Sequence, residues 1–321
     1  MNTSIKVCLI VAASLLALGV ILFITAMAIS QFKFAEVFTT ASYETATHDI
    51  TEEFDNISIN TITVDVTVLP SDDDSAHVVC FDNKKITYAV AVTDGTLSIE
   101  ANDERRWFEH LSIGYNAPEI RVYLPSDEYE ALAIDLSTGD VRIEELTFSS
   151  INIEVTTGDV ECLASSTGEL NIHTTTGDIG ISGASAASMS LKTTSGDVNI
   201  FEISCDGDIH MKSTTGLSAL TNVSCKNLTI DSGSGTSKMK NVIAAESIAI
   251  EKTTGDVEFD ACDAAELNVK TTTGDVVGSL LTEKIFIVNT TTGDVNVPRT
   301  ASGGICEIKT TTGDIEIEIA N

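Results

Sequence analysis

Basic side chains, aromatic side chains and catalytic motifs are scarce in this chain of 321 residues. Lys and Arg number 18 against 48 Asp and Glu, so the formal net charge is −30. Such a chain repels nucleic acids and anionic lipid surfaces, which excludes a nucleic-acid-binding protein. Aromatic residues make up only 5% and Trp occurs once, so a platform that stacks bases or sugars is also disfavoured.

Motifs that support catalysis are missing from the sequence. HExxH, GxSxG and Walker loops do not occur, and the seven cysteines form no CxxC pair. The histidines do not cluster along the chain: they are His48, His77, His110, His173 and His210. We therefore expect no enzymatic activity and no cofactor.

A long apolar run lies near the N-terminus. Residues 7–29 carry no charge. A helix of this length spans roughly 34 Å, enough for a bilayer core of about 30 Å. Residues 1–30 are therefore predicted to form a short N-terminus and a transmembrane signal-anchor helix that leaves the rest of the chain extracytoplasmic. The small residues around Met27 support a rival interpretation, a cleaved signal peptide.

The remainder of the chain repeats a Thr-Gly-Asp turn. The turn glycines recur every 19 or 20 residues, a period typical of a solenoid. They are Gly139, Gly158, Gly177, Gly196, Gly216, Gly235, Gly255, Gly274, Gly293 and Gly313.

Apolar residues occupy fixed positions around each turn glycine. They stand seven and five residues before it and two and four residues after it, as Leu170, Ile172, Ile179 and Ile181 do around Gly177. Apolar residues two apart indicate strands with one inward face. The sequence therefore predicts an all-β fold, a parallel and right-handed β-solenoid of about thirteen coils over residues 55–321. Residues 31–54 are predicted to be a linker or N-terminal cap.

The same register extends upstream of the clear repeats. Val64-Asp65 and Pro118-Glu119 stand where Gly-Asp is expected, and Gly95 centres a further copy between Tyr88 and Ile99. Each of these segments is predicted to form a coil.

The repeat resembles a bacterial family. The TTTGDV copies, with FDNISINTITVDVTVLPSDD and PEIRVYLP upstream, resemble the "putative adhesin" domain-of-unknown-function family of β-strand-repeat envelope proteins. The resemblance covers roughly residues 50–321 and implies a membrane-anchored, extracytoplasmic β-solenoid with an adhesin-like or envelope-stress role. It implies no catalytic residues.

A column of carboxylates follows the turn glycines. One interpretation is a row of Ca²⁺ sites, because Ca²⁺ binds carboxylate and carbonyl oxygens. The other is that each Asp accepts backbone N–H bonds at its own turn and faces water. The residues concerned are Asp140, Asp159, Asp178, Asp197, Asp256, Asp275, Asp294 and Asp314, with Asp65 and Glu119 upstream.

The threonines and cysteines have structural interpretations. Threonine runs such as 174–176 are predicted to point outward and to cap the turns, and an ice-binding face is the rival interpretation. Cys162, Cys262 and Cys306 are predicted to be buried. Cys205 and Cys225 hold equivalent places in adjacent coils, so they are either stacked free thiols or a disulfide.

Two surfaces are candidates for partner binding. Residues 101–110 interrupt the repeat and contain Arg105, Arg106 and Trp107, which form either a binding loop or a lid over the core. The C-terminal strand, GDIEIEIAN, is predicted to leave an open edge through which another copy could associate.

The expected function is binding or scaffolding at a bacterial envelope through multivalent contacts. Two other classes stay open. One is a β-helix enzyme acting on polysaccharides, and the other is a ligand sensor for a membrane signalling partner.

Overall fold

The computed structural model describes residue 12 and residues 14–25, 44–73, 75–82, 86–103, 118–125 and 128–320. Its contacts divide the chain into two units. The first comprises Met1–Ser42 and Glu104–Asn116, and the second comprises Tyr43–Asp103 and Ala117–Asn321.

The first unit is described only in a helix over residues 14–25. Within the described residues, no helix combines the length and the apolar character needed to cross a lipid bilayer. The predicted span of residues 7–29 extends beyond the described part at both ends.

The second unit is built from strands, which make up 73% of the structure and confirm the all-β prediction. The strands that precede the clear repeats are β1 (Glu44–Ile50), β2 (Asn56–Thr63), β3 (Asp65–Pro70), β4 (Ala76–Asp82), β5 (Ile86–Thr93), β6 (Thr96–Asp103) and β7 (Glu119–Leu124). Those of the first repeats are β8 (Glu128–Thr138), β9 (Val141–Ile143), β10 (Thr147–Thr157), β11 (Val160–Cys162), β12 (Ser165–Ser166), β13 (Glu169–Thr176), β14 (Ile179–Ser182), β15 (Ser185–Ala186), β16 (Ser188–Ser195), β17 (Val198–Cys205) and β18 (Asp208–Thr215). The rest are β19 (Ser218–Ser234), β20 (Ser237–Thr254), β21 (Val257–Lys270), β22 (Val276–Leu280), β23 (Lys284–Thr292), β24 (Val295–Asn296), β25 (Gly304–Thr312) and β26 (Ile315–Ile319).

Equivalent strands of successive coils pair in parallel, which produces a β-solenoid of about nine turns. The strands before the turn glycines form a first ladder, in which Ile153 pairs with Ile172. The strands after the turn glycines form a second ladder, in which Val160 pairs with Ile179. The predicted columns are therefore the observed register. Most of their apolar members are buried in one continuous core, because alternation along a strand sends every second side chain inward. The right-handed coiling stays a prediction.

The segment around Gly95 is not a coil. β5 and β6 form an antiparallel hairpin in which Thr93 pairs with Thr96, across a turn at Asp94 and Gly95. Both turn residues have positive φ angles of 50° and 75°, as a tight two-residue hairpin requires. The alternation of apolar residues is the same in a coil and in a hairpin, so it misled the sequence prediction. Such hairpin strands account for part of the difference between about thirteen predicted coils and the turns observed.

The Val64-Asp65 and Pro118-Glu119 predictions are confirmed where they are described. β3 pairs in parallel with β7 on one side, placing Asp65 against Glu119, and with β9 on the other, placing Val66 against Val141. β2 likewise pairs with β8. The coil around Asp65 therefore stacks directly on the coil around Gly139, about 75 residues later in the chain.

The last two coils are stacked in the reverse of their sequence order. β25 lies between β21 and β23, and β26 lies between β22 and β24. β26 pairs with β22 along its whole length but with β24 only at Ile315 and Glu316, so the predicted open C-terminal edge is limited to residues 317–319. The outermost coil is the one before it, formed by β23 and β24. Every repeat carries the same pattern, so the sequence register is equally satisfied by either order.

Candidate functional site

The turn between the two ladders requires glycine. At Gly177 φ is +148°, and a Cβ atom there would lie 1.9 Å from the carbonyl oxygen of Gly158 in the preceding coil. The same contact recurs at the other turn glycines of the repeats. Glycine is thus selected both by a backbone conformation unfavourable to L-residues and by the close approach of neighbouring turns.

The turn aspartates accept hydrogen bonds from the turn of a neighbouring coil. The backbone amide of Asp159 donates to Oδ1 of Asp140 at 2.9 Å, and that of Asp178 donates to Oδ1 of Asp159 at 2.7 Å. The ladder continues to Asp197, is interrupted where Leu217 and Thr236 replace Asp, and resumes at Asp256. The carboxylates therefore connect coils, rather than capping only their own turns.

The hydrogen bonds between coils limit the oxygens that the aspartates could offer to Ca²⁺. One oxygen of each bonded carboxylate already accepts an amide, and among the described residues no group of three or more His, Cys, Asp or Glu side chains is arranged to hold a metal ion. At Asp65, burial raises the carboxyl pKa, while the amide of Asp140 opposes that shift and the charges of Asp140 and Glu119 add to it. Ca²⁺ binding stays a prediction.

Each threonine run contains both outward and inward side chains. Thr175 and Thr176 are exposed as predicted, whereas Thr174 is buried and its hydroxyl donates to the carbonyl oxygen of Gly158 at 3.2 Å. Thr193 makes the same bond to Gly177. Alternation would have identified this inward position, because it lies two residues after the second apolar column.

The inward threonine position holds a lysine in one coil, which the sequence analysis missed. Lys252 is only 4% exposed, and its Nζ donates to the hydroxyl of Ser237 at 2.8 Å. Burial lowers the pKa of Lys252 to about 8, against a smaller opposing effect of Asp256. In the two preceding coils the same position holds Ser213 and Ser232, and the hydroxyl of Ser213 donates a hydrogen bond to that of Ser232 at 3.0 Å. The same alternation would have identified this inward column of polar residues.

All six described cysteines are buried, and Cys162, Cys262 and Cys306 are free thiols, which confirms the predictions for these three. Ser204 pairs with Ser224, so the following residues, Cys205 and Cys225, are stacked in adjacent coils. They are free thiols and form no disulfide. Burial raises the pKa of Cys225 to about 12, which disfavours a reactive thiolate.

The binding-loop candidates Arg105, Arg106 and Trp107 lie outside the described residues. The candidate site that the structure does describe is the row of turns. We call it the turn ridge: the hydroxyl residue before each turn glycine, together with the aspartate after it. Its hydroxyl residues, stacked in register between coils, are Thr138, Thr157, Thr176, Ser195, Thr215, Ser234, Thr254, Thr273, Thr312 and Thr292.

Comparison with known proteins identifies the family. The profile of the Toastrack DUF4097 family matches residues 54–215 and 204–321, which together cover most of the chain. The chain belongs to the Toastrack DUF4097 family. A comparison of this Toastrack chain with curated proteins finds no match.

Solved structures resemble this Toastrack chain at low sequence identity. A protein from Parabacteroides distasonis, described as a "putative lipid binding protein", is 17% identical, with 75% of this chain and 98% of that one covered and a TM-score of 0.50. A "putative adhesin" from Bacteroides fragilis is 16% identical, with 87% and 100% covered and a TM-score of 0.43. Another "putative adhesin" from P. distasonis is 11% identical, with 85% and 100% covered and a TM-score of 0.49. At these identities the likeness concerns the fold alone.

Proposed function

We propose that this Toastrack protein is a non-catalytic binding scaffold of the bacterial envelope, membrane-anchored through its N-terminal segment and displayed outside the cytoplasm. The observation that carries the proposal is the turn ridge, in which the same exposed hydroxyl and carboxylate groups recur along the solenoid. The description of related folds as adhesins is consistent with it.

The turn ridge suits a ligand that is itself repetitive. Its hydroxyl groups repeat at the spacing of paired strands, about 4.8 Å. A single exposed hydroxyl contributes little binding energy, but linked contacts raise the effective concentration of each further contact. A polymer of the envelope, such as a glycan strand, would present many acceptors and donors to such a row.

The acidic character of the protein limits the choice of polymer. At a net charge of −30 the scaffold repels polyanions, and the aspartates of the turn ridge place part of that charge at the contact. Neutral or cationic envelope polymers are therefore the expected ligands, whereas anionic ones are disfavoured.

The test compares two triple variants of the full-length protein in detergent micelles. Thr157→Ala, Thr176→Ala and Ser195→Ala remove three consecutive ridge hydroxyls. The matched control, Asn152→Ala, Asn171→Ala and Ser190→Ala, removes polar side chains from another outward column of the same three coils.

Binding to insoluble envelope polymers, stripped of their anionic chains, is measured by co-sedimentation. We expect the wild type and the control to bind and the ridge variant to bind at least ten-fold more weakly, with melting temperatures alike. Equal binding by both variants, or none by the wild type, would refute the turn ridge as the contact surface. Protease accessibility of the solenoid on intact cells tests the location separately.

A further inference from the structure

Among the described residues, the outermost coil at one end of the solenoid has no neighbour on its outer side. β23 pairs with β25 on one side only, and β24 pairs only with β26. The carboxylate ladder ends at the same place: the amide of Asp294 donates to Asp314 at 2.7 Å, and within the described residues no amide donates to the Asp294 carboxylate. This coil thus offers a free strand edge and a free acceptor.

The same end carries most of the exposed apolar surface of the described solenoid. Outside the N-terminal helix, eight large hydrophobic residues are exposed, and five of them fall within residues 281–305. We call three of these the end patch, because they face outward on the paired strands β23 and β25: Ile285, Ile287 and Ile305. Ile287 is 52% exposed and faces outward, whereas its sequence neighbours Phe286 and Val288 pack against the core. Clustered exposure of this kind marks an interaction surface rather than the scattered apolar residues normal on proteins.

The opposite end is built differently. Beyond β2 lies the antiparallel β5–β6 hairpin, and beyond β7 lies β4, which pairs antiparallel with both β7 and β1. None of the exposed large hydrophobic residues belongs to β1, β4, β5 or β6. The antiparallel strands interrupt the coil register, so this end does not match the outermost coil at the other. A head-to-tail filament is therefore disfavoured.

Charge favours contact at the end coil over contact elsewhere. β23 contains no acidic residue, and its single charge, Lys284, is buried and paired with Asp263 at 2.6 Å. For two copies of a chain with a net charge of −30, contact along β23 brings together strands without acidic residues, so it is repelled less than contact between strands that carry Asp or Glu. Charges farther apart than about 8 Å are largely screened at physiological salt.

We propose that the end patch and the free edge of β23 are the interface of a homodimer, in which a second copy docks by the same end around a two-fold axis. A two-fold contact uses the same surface on both copies, and it aligns β23 antiparallel to the partner's β23. The pairing satisfies the free backbone groups of both edges and places Ile285 and Ile287 of one copy beside the outward side chains of the partner's β23. Because the other ends do not match this surface, the assembly closes at two copies.

The test measures the mass of the full-length protein by analytical ultracentrifugation in density-matched detergent. Ile287→Glu places like charges at the contact, and Phe201→Glu is the control, since Phe201 is 47% exposed but lies in the middle of the solenoid. We expect a dimer for the wild type and for Phe201→Glu, and at least a ten-fold weaker dimer for Ile287→Glu. The variant should retain the wild-type melting temperature at monomeric concentrations.

Amide hydrogen exchange separates this interface from association through the N-terminal segment. At dimeric concentrations, residues 285–292 should exchange more slowly than at monomeric ones. A wild type that stays monomeric would overturn the proposal. So would a dimer that Ile287→Glu leaves intact, or one without protection of β23. A heavier mass that mass spectrometry traces to a co-purified protein, with no second copy of the chain, would overturn it as well.

Discussion

The carboxylate of Asp275 accepts the backbone amide of Asp314, 39 residues further along the chain, at 2.8 Å. The intervening turn aspartate, Asp294, donates its amide to Asp314 instead. The carboxylate ladder thus records the order in which coils are stacked, and that order departs from the sequence at the end of the solenoid.

Replacing Asp275 tests both the ladder and the stacking order. Asp275→Ala removes the acceptor of the Asp314 amide, at a cost of about 1–3 kcal/mol for a buried amide left unpaired and less for one that reaches water. Asp275→Asn keeps an oxygen acceptor and should be nearly neutral. Measured by hydrogen exchange, Asp275→Ala should accelerate exchange of the Asp314 amide most. Greater acceleration at Asp294 would show that the coils are stacked in sequence order.

The close approach of the turns predicts a large difference between two glycine substitutions. Gly177→Ala puts a Cβ atom 1.9 Å from a backbone oxygen at a φ of +148°. Gly180→Ala, three residues later, meets nothing nearer than 3.9 Å. We expect the first to lower the urea midpoint strongly or to prevent folding, and the second to change it little. Similar midpoints for the two variants would contradict the turn geometry.

The buried lysine makes stability depend on pH. Burial lowers the pKa of Lys252 to about 8 in the folded chain, whereas the unfolded chain has a lysine pKa of roughly 10.4. Between these values the unfolded state binds more protons, so the free energy of unfolding rises with pH across this window. Below it, the full penalty of the buried ammonium is present.

Lys252→Thr restores the residue found at this position in other coils. It should raise the melting temperature at pH 7 and raise it much less at pH 10, where the wild-type lysine is neutral. Lys238→Thr, a replacement of an exposed lysine, serves as the control. A constant gain across this pH range would indicate that packing, rather than charge, is responsible.

In four coils the residue six positions after the turn glycine adopts a left-handed conformation. Glu202, Asn222, Asn241 and Ala261 have φ angles between 51° and 56°. Asparagine tolerates this region and alanine does not, so Ala261→Gly should stabilise the protein by about 1 kcal/mol. Ala219→Gly, in a regular strand, should destabilise it by about 0.5–1 kcal/mol. Chemical denaturation measures both, and a loss of stability in Ala261→Gly would contradict the strain.

Calcium distinguishes the two interpretations of the aspartate column. Because one oxygen of each bonded aspartate accepts an amide, we expect Ca²⁺ to raise the melting temperature no more than Na⁺ at equal ionic strength. A saturable increase specific to Ca²⁺, lost in Asp178→Asn, would establish a cation site on the turn ridge.

Much of the candidate site could be predicted from individual residues. The spacing of Gly158 and Gly177 predicts the turn and its stacking, and the aspartates after them were correctly placed in one column. Their bonds to the next coil were not predicted, because the sequence does not show which backbone amide a carboxylate reaches. Lys252 was not predicted to be buried, because lysine is ordinarily an exposed residue, although its position three residues before Gly255 belongs to an inward column.

By itself, the sequence determined the parallel register, the inward columns and the glycine turns, since a 19- or 20-residue period with alternation every two residues brings like side chains together. The tertiary structure alone decided which coils are neighbours. Equivalent repeats form the same backbone hydrogen bonds in any order. Only the paths of the connecting segments therefore place the Gly313 coil between the Gly274 and Gly293 coils, and only they make the Gly95 segment a hairpin. The free end of the solenoid, and with it the proposed interface, follows from those paths.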